Sequence, residues 1–182
     1  IFLLLLMVVK IITAALQGID ATPVFCETSV TNGCRVIMIG LPDTAVRESR
    51  DRIESAMRES GLKFPRKQVT INLAPADVRK EGALYDVPIA TAIMAAGAII
   101  QTDKIADYML VGELSLDGSV KPVKGTLPFA ILAREMKMKG IIVPRDNACE
   151  AAVVNNLDVL VADRLIDIID FFNNKRDLEH VE

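Results

Sequence analysis

The sequence predicts an α+β fold with helices packed on a mixed sheet, and three observations predict it. Two turn dipeptides, Asn32-Gly33 and Asp117-Gly118, stand between β-favouring stretches, the pattern of tight hairpins. From about Thr126 onward, helical and strand patterns alternate. The stretch Val87–Ile99 is apolar nearly all round, so as a helix it belongs in the interior.

Taken in order, Ile1 to Val9 is an unbroken apolar run ended by Lys10. It is far short of the roughly 20 residues needed to cross a bilayer. No basic region precedes it and no small-residue cleavage site follows, so it does not read as a signal peptide. Residues 1–6 are expected to be foreign to the native chain, with Met7 as a sensible start and residues 7–172 as the domain. Asn32-Gly33 is expected to join strands at Ala21–Val30 and Cys34–Ile39 through a type I′ turn, where both central residues need positive φ.

Asp43 is the expected N-cap of a helix running to about Ser60 and closed by Gly61. Val46, Ile53 and Met57 form its inner stripe, and Glu48–Arg52 and Glu54–Arg58 are i,i+4 ion pairs on its outer face. Gln68–Leu73 alternates as a strand. Asp86 can cap the buried helix, with Pro88 tolerated in the first turn. Asp117-Gly118 should join Met109–Leu116 to Ser119–Val123. A helix over Thr126–Met138, a strand at Ile141–Val143, a helix over Asn147–Asn155, a strand at Val159–Val161 and a helix from about Arg164 to Phe172 complete the pattern. The polar segment Asn173–Glu182 reads as a frayed tail or linker.

The 182 residues are half hydrophobic, enough for one domain with a real core. The formal charge of −3 makes no electrostatic case for the domain gripping nucleic acid by itself, and no basic patch stands out along the chain. Cys26, Cys34 and Cys149 are widely spaced and odd in number, so all three are expected as buried small side chains in a reducing cytosol. No phosphate-binding loop or dinucleotide fingerprint occurs, and no metal-ligand cluster is visible. The single histidine, His180, lies in the polar tail, away from any hydroxyl or thiol it could activate.

The most unusual segment is Ile71–Ala90, which runs from a strand through a charged loop into the buried helix. Gly82 permits a tight approach to the helix start, and Asp77, Lys80, Glu81 and Asp86 crowd charge into one loop, with Tyr85 among them. Two readings stand side by side: an interaction site, or a capped strand–helix connection.

Leu73-Ala-Pro-Ala-Asp77, Lys80-Glu81-Gly82 and Tyr85-Asp86-Val87-Pro88-Ile89-Ala90 closely resemble the ComM/YifB family of magnesium-chelatase-related AAA+ proteins. Gln17-Gly18-Ile19-Asp20, Val36–Arg52, Val111-Gly112-Glu113-Leu114 and Ile141–Pro144 add matches in family order. The resemblance implies a sandwich fold shared with the Lon peptidase domain and with GHMP-type kinases. In Lon the same strand–loop–helix carries a Lys-Asp-Gly-Pro-Ser signature, which places Leu84 at the serine position. Lon's lysine lies in a Pro-Ile-Gly-Gly-x-x-x-Lys stretch, which places Phe129 at the lysine, with Lys124 nearby only after a register shift. Serine–lysine chemistry needs a hydroxyl beside a desolvated amine, so the resemblance implies a domain without that activity.

The resemblance also implies an AAA+ module beyond residue 182, which would take ATP and magnesium, with none of its own cofactor sites in this segment. It implies a homo-hexamer, branch migration on DNA by the full-length protein, a cytoplasmic location and no membrane contact. Alternatives are a scaffold unrelated to DNA, a free-standing binding domain, a serine–lysine peptidase, or a chelatase subunit inserting magnesium into a porphyrin. Against the last, the likeness to chelatase subunits is expected to reside in the ATPase module.

Overall fold

A two-residue loop, Gly18-Ile19, turns β1 (Val9–Gln17) back onto β2 (Asp20–Thr31), with Gln17 opposite Asp20. Gly18 sits at φ +66°, the left-handed region that such a loop demands. The turn reading had passed over this hairpin. The reason is that Ile11, Thr13 and Ala15 face one side of the sheet and Ala14 the other, all buried, so β1 shows no clean alternation. The structure, a computed structural model, describes residues 8–182. The expectation for residues 1–6 lies outside them.

Asn32-Gly33 does not make a hairpin. β3 (Val36–Ile39) is parallel to β4 (Gln68–Ala74), and β4 lies between β2 and β3. The dipeptide reverses the chain but cannot choose the neighbour, and the alternating β4 takes the place beside β2. The helix expected after Asp43 is two, α1 (Thr44–Arg47) and α2 (Ser49–Glu59). Asp43 caps the first, its Oδ1 accepting from the Val46 amide at 2.8 Å. Val46, Ile53 and Met57 are fully buried, as their spacing predicts. Glu48 does pair with Arg52, at 3.7 Å, whereas Glu54 pairs with Arg50 rather than with Arg58.

The buried helix is α3 (Asp86–Ala96), entered through a 3-10 turn at Ala83–Tyr85. The expected strand Met109–Leu116 splits into β5 (Tyr108–Leu110), which joins the main sheet, and β6 (Glu113–Leu114). β6 pairs with β7 (Val120–Lys121) around Asp117-Gly118, so that hairpin forms, but with a longer loop than a type I′ turn. α4 (Thr126–Glu135), β8 (Gly140–Pro144), α5 (Ala148–Ala151), β9 (Asp158–Ala162) and α6 (Leu165–Phe172) follow as the pattern predicts, with α4 and α5 shorter.

The tail is not frayed throughout. β10 (Glu179–Val181) pairs antiparallel with β9 and completes an eight-stranded mixed sheet in the order β10-β9-β8-β5-β1-β2-β4-β3. α2, α3 and α6 bury one face of it, and α4 and α5 pack against the other around β8 and β9. Among the described residues no helix is long and apolar enough to cross a membrane. Only Cys26 of the three cysteines is buried, and burial pushes its thiol up to about 12. Cys34 and Cys149 are exposed, because a bend and a four-residue helix carry them outward.

Arg145 fastens the tail. It donates to Asp163 at 2.8 and 2.7 Å and to Glu179 at 2.8 Å. Those bonds hold both carboxyls below their ordinary values of 3.8 and 4.5. Depressed carboxyl pKa values stabilise the fold above the ordinary values, and that contribution fades as pH falls through the folded ones. Arg145→Met should therefore lower the melting temperature more at pH 7 than at pH 3. A gap of equal size at both pH values would refute the linkage.

Candidate functional site

The strand–loop–helix singled out in the sequence is built around a lysine turned inward. Lys80 is fully buried, and its Nζ donates to the backbone oxygens of Gly40, at 2.7 Å, and Pro75. Its own amide donates to Leu41 O at 3.1 Å and its carbonyl accepts from Asp43 N at 3.0 Å. Burial pushes the ammonium down, opposed by the charge of Asp77. Asp43 works in two directions, since its Oδ2 also accepts from the Gly82 amide at 3.0 Å. The loop is thereby clamped to the segment Gly40–Asp43, and Leu41 is held at φ +56°, exposed.

Asp86 does not cap a helix. Its carboxylate is completely buried and accepts from Arg52 Nε at 2.7 Å, Arg52 Nη2 at 2.9 Å and the Leu114 amide at 3.0 Å. Arg52 Nη2 also donates to Ala45 O at 2.7 Å. The arginine expected on the outer face of its helix thus reaches inward, because a buried carboxylate draws a guanidinium that fits it with two bonds. Burial pushes the Asp86 carboxyl up, against the downward pull of Arg52 and the Leu114 amide. Tyr85 is buried beside it, and its hydroxyl is pushed above the ordinary phenol range by the same desolvation.

Of the six loop residues, then, Lys80, Tyr85 and Asp86 are inside, Gly82 is half-buried, and Asp77 and Glu81 are exposed. A partner touching this loop would meet Asp77 and Glu81 directly.

Above the clamped loop lies an open cleft of about 580 Å³. Leu84 and Tyr85 form part of its floor, Leu16 and Gln17 come from the end of β1, and Arg79, Glu81, Glu113 and Lys124 bring charge of both signs. The residues lining it include no serine, threonine, cysteine or histidine. Leu84 and Lys124 are thus brought to one cleft, whereas Phe129 is fully buried in the second core cluster, among side chains of α4, β8 and β9. Asn147 holds the far wall, accepting from Val123 N at 2.9 Å and donating to Val123 O at 2.8 Å. Sequence reasoning had missed Glu113 and Asn147, whose parts depend on pairings distant in the chain. Among the described residues no group of three or more His, Cys, Asp or Glu side chains could hold a metal ion.

Residues 26–147 match the family model described as subunit ChlI of Mg-chelatase. The chain belongs to this family. The match falls on the domain itself, which corrects the expectation that likeness to chelatase subunits resides in the ATPase module. Among relatives, the uncharacterized protein YifB of Escherichia coli is 42% identical over 92% of this chain, and competence protein ComM of Haemophilus influenzae is 36% identical over 90%. The chain spans about a third of the length of each. A Lon protease of Rhizobium meliloti is 26% identical over 78% of the chain and 18% of its own length, a weak likeness that agrees with the predicted fold. The chain is thus magnesium-chelatase-related, a member of the ChlI family with YifB and ComM among its relatives.

Proposed function

We propose that this domain is a non-catalytic module of a ComM-like AAA+ ATPase. The observation that carries the reading is the pair Leu84 and Phe129. The first lines the cleft and the second is buried in the core, both apolar, and the resemblance to Lon aligns them with that peptidase's hydroxyl and amine. Stripped of that chemistry, the cleft with its exposed Glu81, and the exposed Asp77 of the same loop, serve as a contact surface for the protein's own ATPase module or for a partner. The ATPase module of such a protein binds ATP and magnesium.

The full-length protein is a cytoplasmic homo-hexameric motor that drives branch migration on DNA. Support comes from the family match and from the likeness to a competence protein. A chelatase subunit is the second reading, favoured by the description of the family whose model matches this very segment.

The test is ATP hydrolysis by the full-length protein with and without a four-way DNA junction. Stimulation severalfold by the junction is the expected result. Hydrolysis indifferent to DNA would remove the branch-migration reading and move weight to the chelatase or scaffold readings. A fluorophosphonate probe should leave the domain unlabelled, and stoichiometric labelling would overturn its non-catalytic status.

A further inference from the structure

On the side of the molecule formed by β3, α2 and the loop that follows it lies a second groove, of about 620 Å³. Arg50 and Arg58 enter it from α2, and Lys63, Arg66 and Lys67 from the loop before β4. Glu54 is the single acidic residue in its lining. It pairs with Arg50 at 3.9 Å, and the Arg50 guanidinium also lies 5.8 Å from the centre of the Phe64 ring. Among the described residues Arg58, Lys63, Arg66 and Lys67 have no carboxylate within 4.0 Å.

This concentration runs against the balance of the whole chain, which carries a formal charge of −3. Along the chain it is diluted, because Asp51, Glu54 and Glu59 are interspersed among the cations between Arg50 and Lys67. Exposed cations gathered in one groove repel one another, and a line of anions relieves that repulsion while a single anion would leave most of it. The number of unpaired cations exceeds what one phosphate monoester can engage. A nucleic-acid strand carries one phosphate every ~3.4 Å, so a groove of this kind can meet several at once. We propose that the groove is a contact surface for the phosphate backbone of a nucleic acid. Contacts of this type position the polymer without reading its sequence. The proposal rests on the reading of the full-length protein as a DNA motor, and its test separates the two.

The experiment uses the full-length protein with fluorescein-labelled single-stranded, duplex and four-way-junction DNA, titrated at several salt concentrations. It compares the wild type with the variant Arg58→Gln/Lys63→Gln/Arg66→Gln/Lys67→Gln. All four side chains are exposed, so the variant should fold, which its melting temperature checks. The variant should bind at least about tenfold more weakly at 0.1 M salt, and the slope of log K against log salt should flatten by about 3. Replacing Arg58 and Arg66 by lysine should retain most of the slope, as a charge effect requires. The three DNA forms show which strand arrangement the groove follows.

Unchanged slope and affinity in the glutamine variant would overturn the groove even if DNA stimulates ATP hydrolysis. Loss of binding in that variant, with hydrolysis indifferent to DNA in the wild type, would keep the groove and sink the motor. If no DNA binds the wild type while poly-glutamate binds in a variant-sensitive way, the groove belongs to an acidic protein segment and the proposal is wrong.

Discussion

Arg52→Met should destabilise the domain by about 3–5 kcal/mol, read from urea unfolding, because it leaves the carboxylate of Asp86 buried and unpaired. Two bonds from the guanidinium, at 2.7 and 2.9 Å, and one from the Leu114 amide now satisfy that carboxylate. The Arg52 side chain is 19% exposed and that of Asp86 is wholly inside, so solvent screens the pair little. Replacing both residues, as Arg52→Met/Asp86→Leu, removes the orphaned charge and should cost less than the single change. The remaining penalty comes from the unpaired Leu114 amide, about 1–3 kcal/mol, and from the Ala45 carbonyl, which also loses its bond to Arg52. A single-variant loss below about 1 kcal/mol, or a double variant worse than the single, would show that the ion pair does not hold α2, α3 and β6 together.

A second large effect is expected at Gly40. Its φ is +104°, and a Cβ there would lie 2.1 Å from the carbonyl oxygen of Leu73. Leu73 cannot retreat, since it is paired with Cys26 across the sheet and its side chain is fully buried. Gly40→Ala should therefore cost about 4 kcal/mol or more and prevent folding if the domain has no larger reserve. Gly61 provides the control. It also has positive φ, +78°, but open space where a Cβ would go, so Gly61→Ala should cost only the backbone strain, about 1–2 kcal/mol. Equal losses at the two positions would mean that the close approach to Leu73 is not what requires glycine.

Much of this fold was readable from local pattern. The stripe of α2, the all-round apolarity of α3 and the alternation of β4 each encode their own burial, because periodicity reports directly on which face meets the core. What local pattern could not express is pairing at a distance. β1 hides its alternation by being buried on both faces, and Asn32-Gly33 marks a reversal without naming the neighbouring strand. Arg52 looks like a solvated helix charge until Asp86, from another element, is brought beneath it. The same holds for the sites. Leu84 and Phe129 were singled out through family resemblance; the structure brings Leu84 to the cleft beside Lys124 and leaves Phe129 in the core. Lys80 was read as loop charge, yet its ammonium replaces a turn of backbone by bonding Gly40 and Pro75. The basic groove was missed because its cations are split between a helix and a loop.

The order of the strands has a consequence for how the domain comes into being on the ribosome. Of the described strands β1 is made first, and it lies in the middle of the sheet. One of its sides is covered almost at once by β2, but the other waits for β5, where Ile12 meets Met109 about a hundred residues later. At ordinary rates of synthesis that edge stays bare for about 5–20 s. Bare edges recruit strands from other chains, and positive charge beside them is one of the devices that discourage it. Lys10, the exposed second residue of β1 between apolar neighbours, is placed where such protection is needed longest.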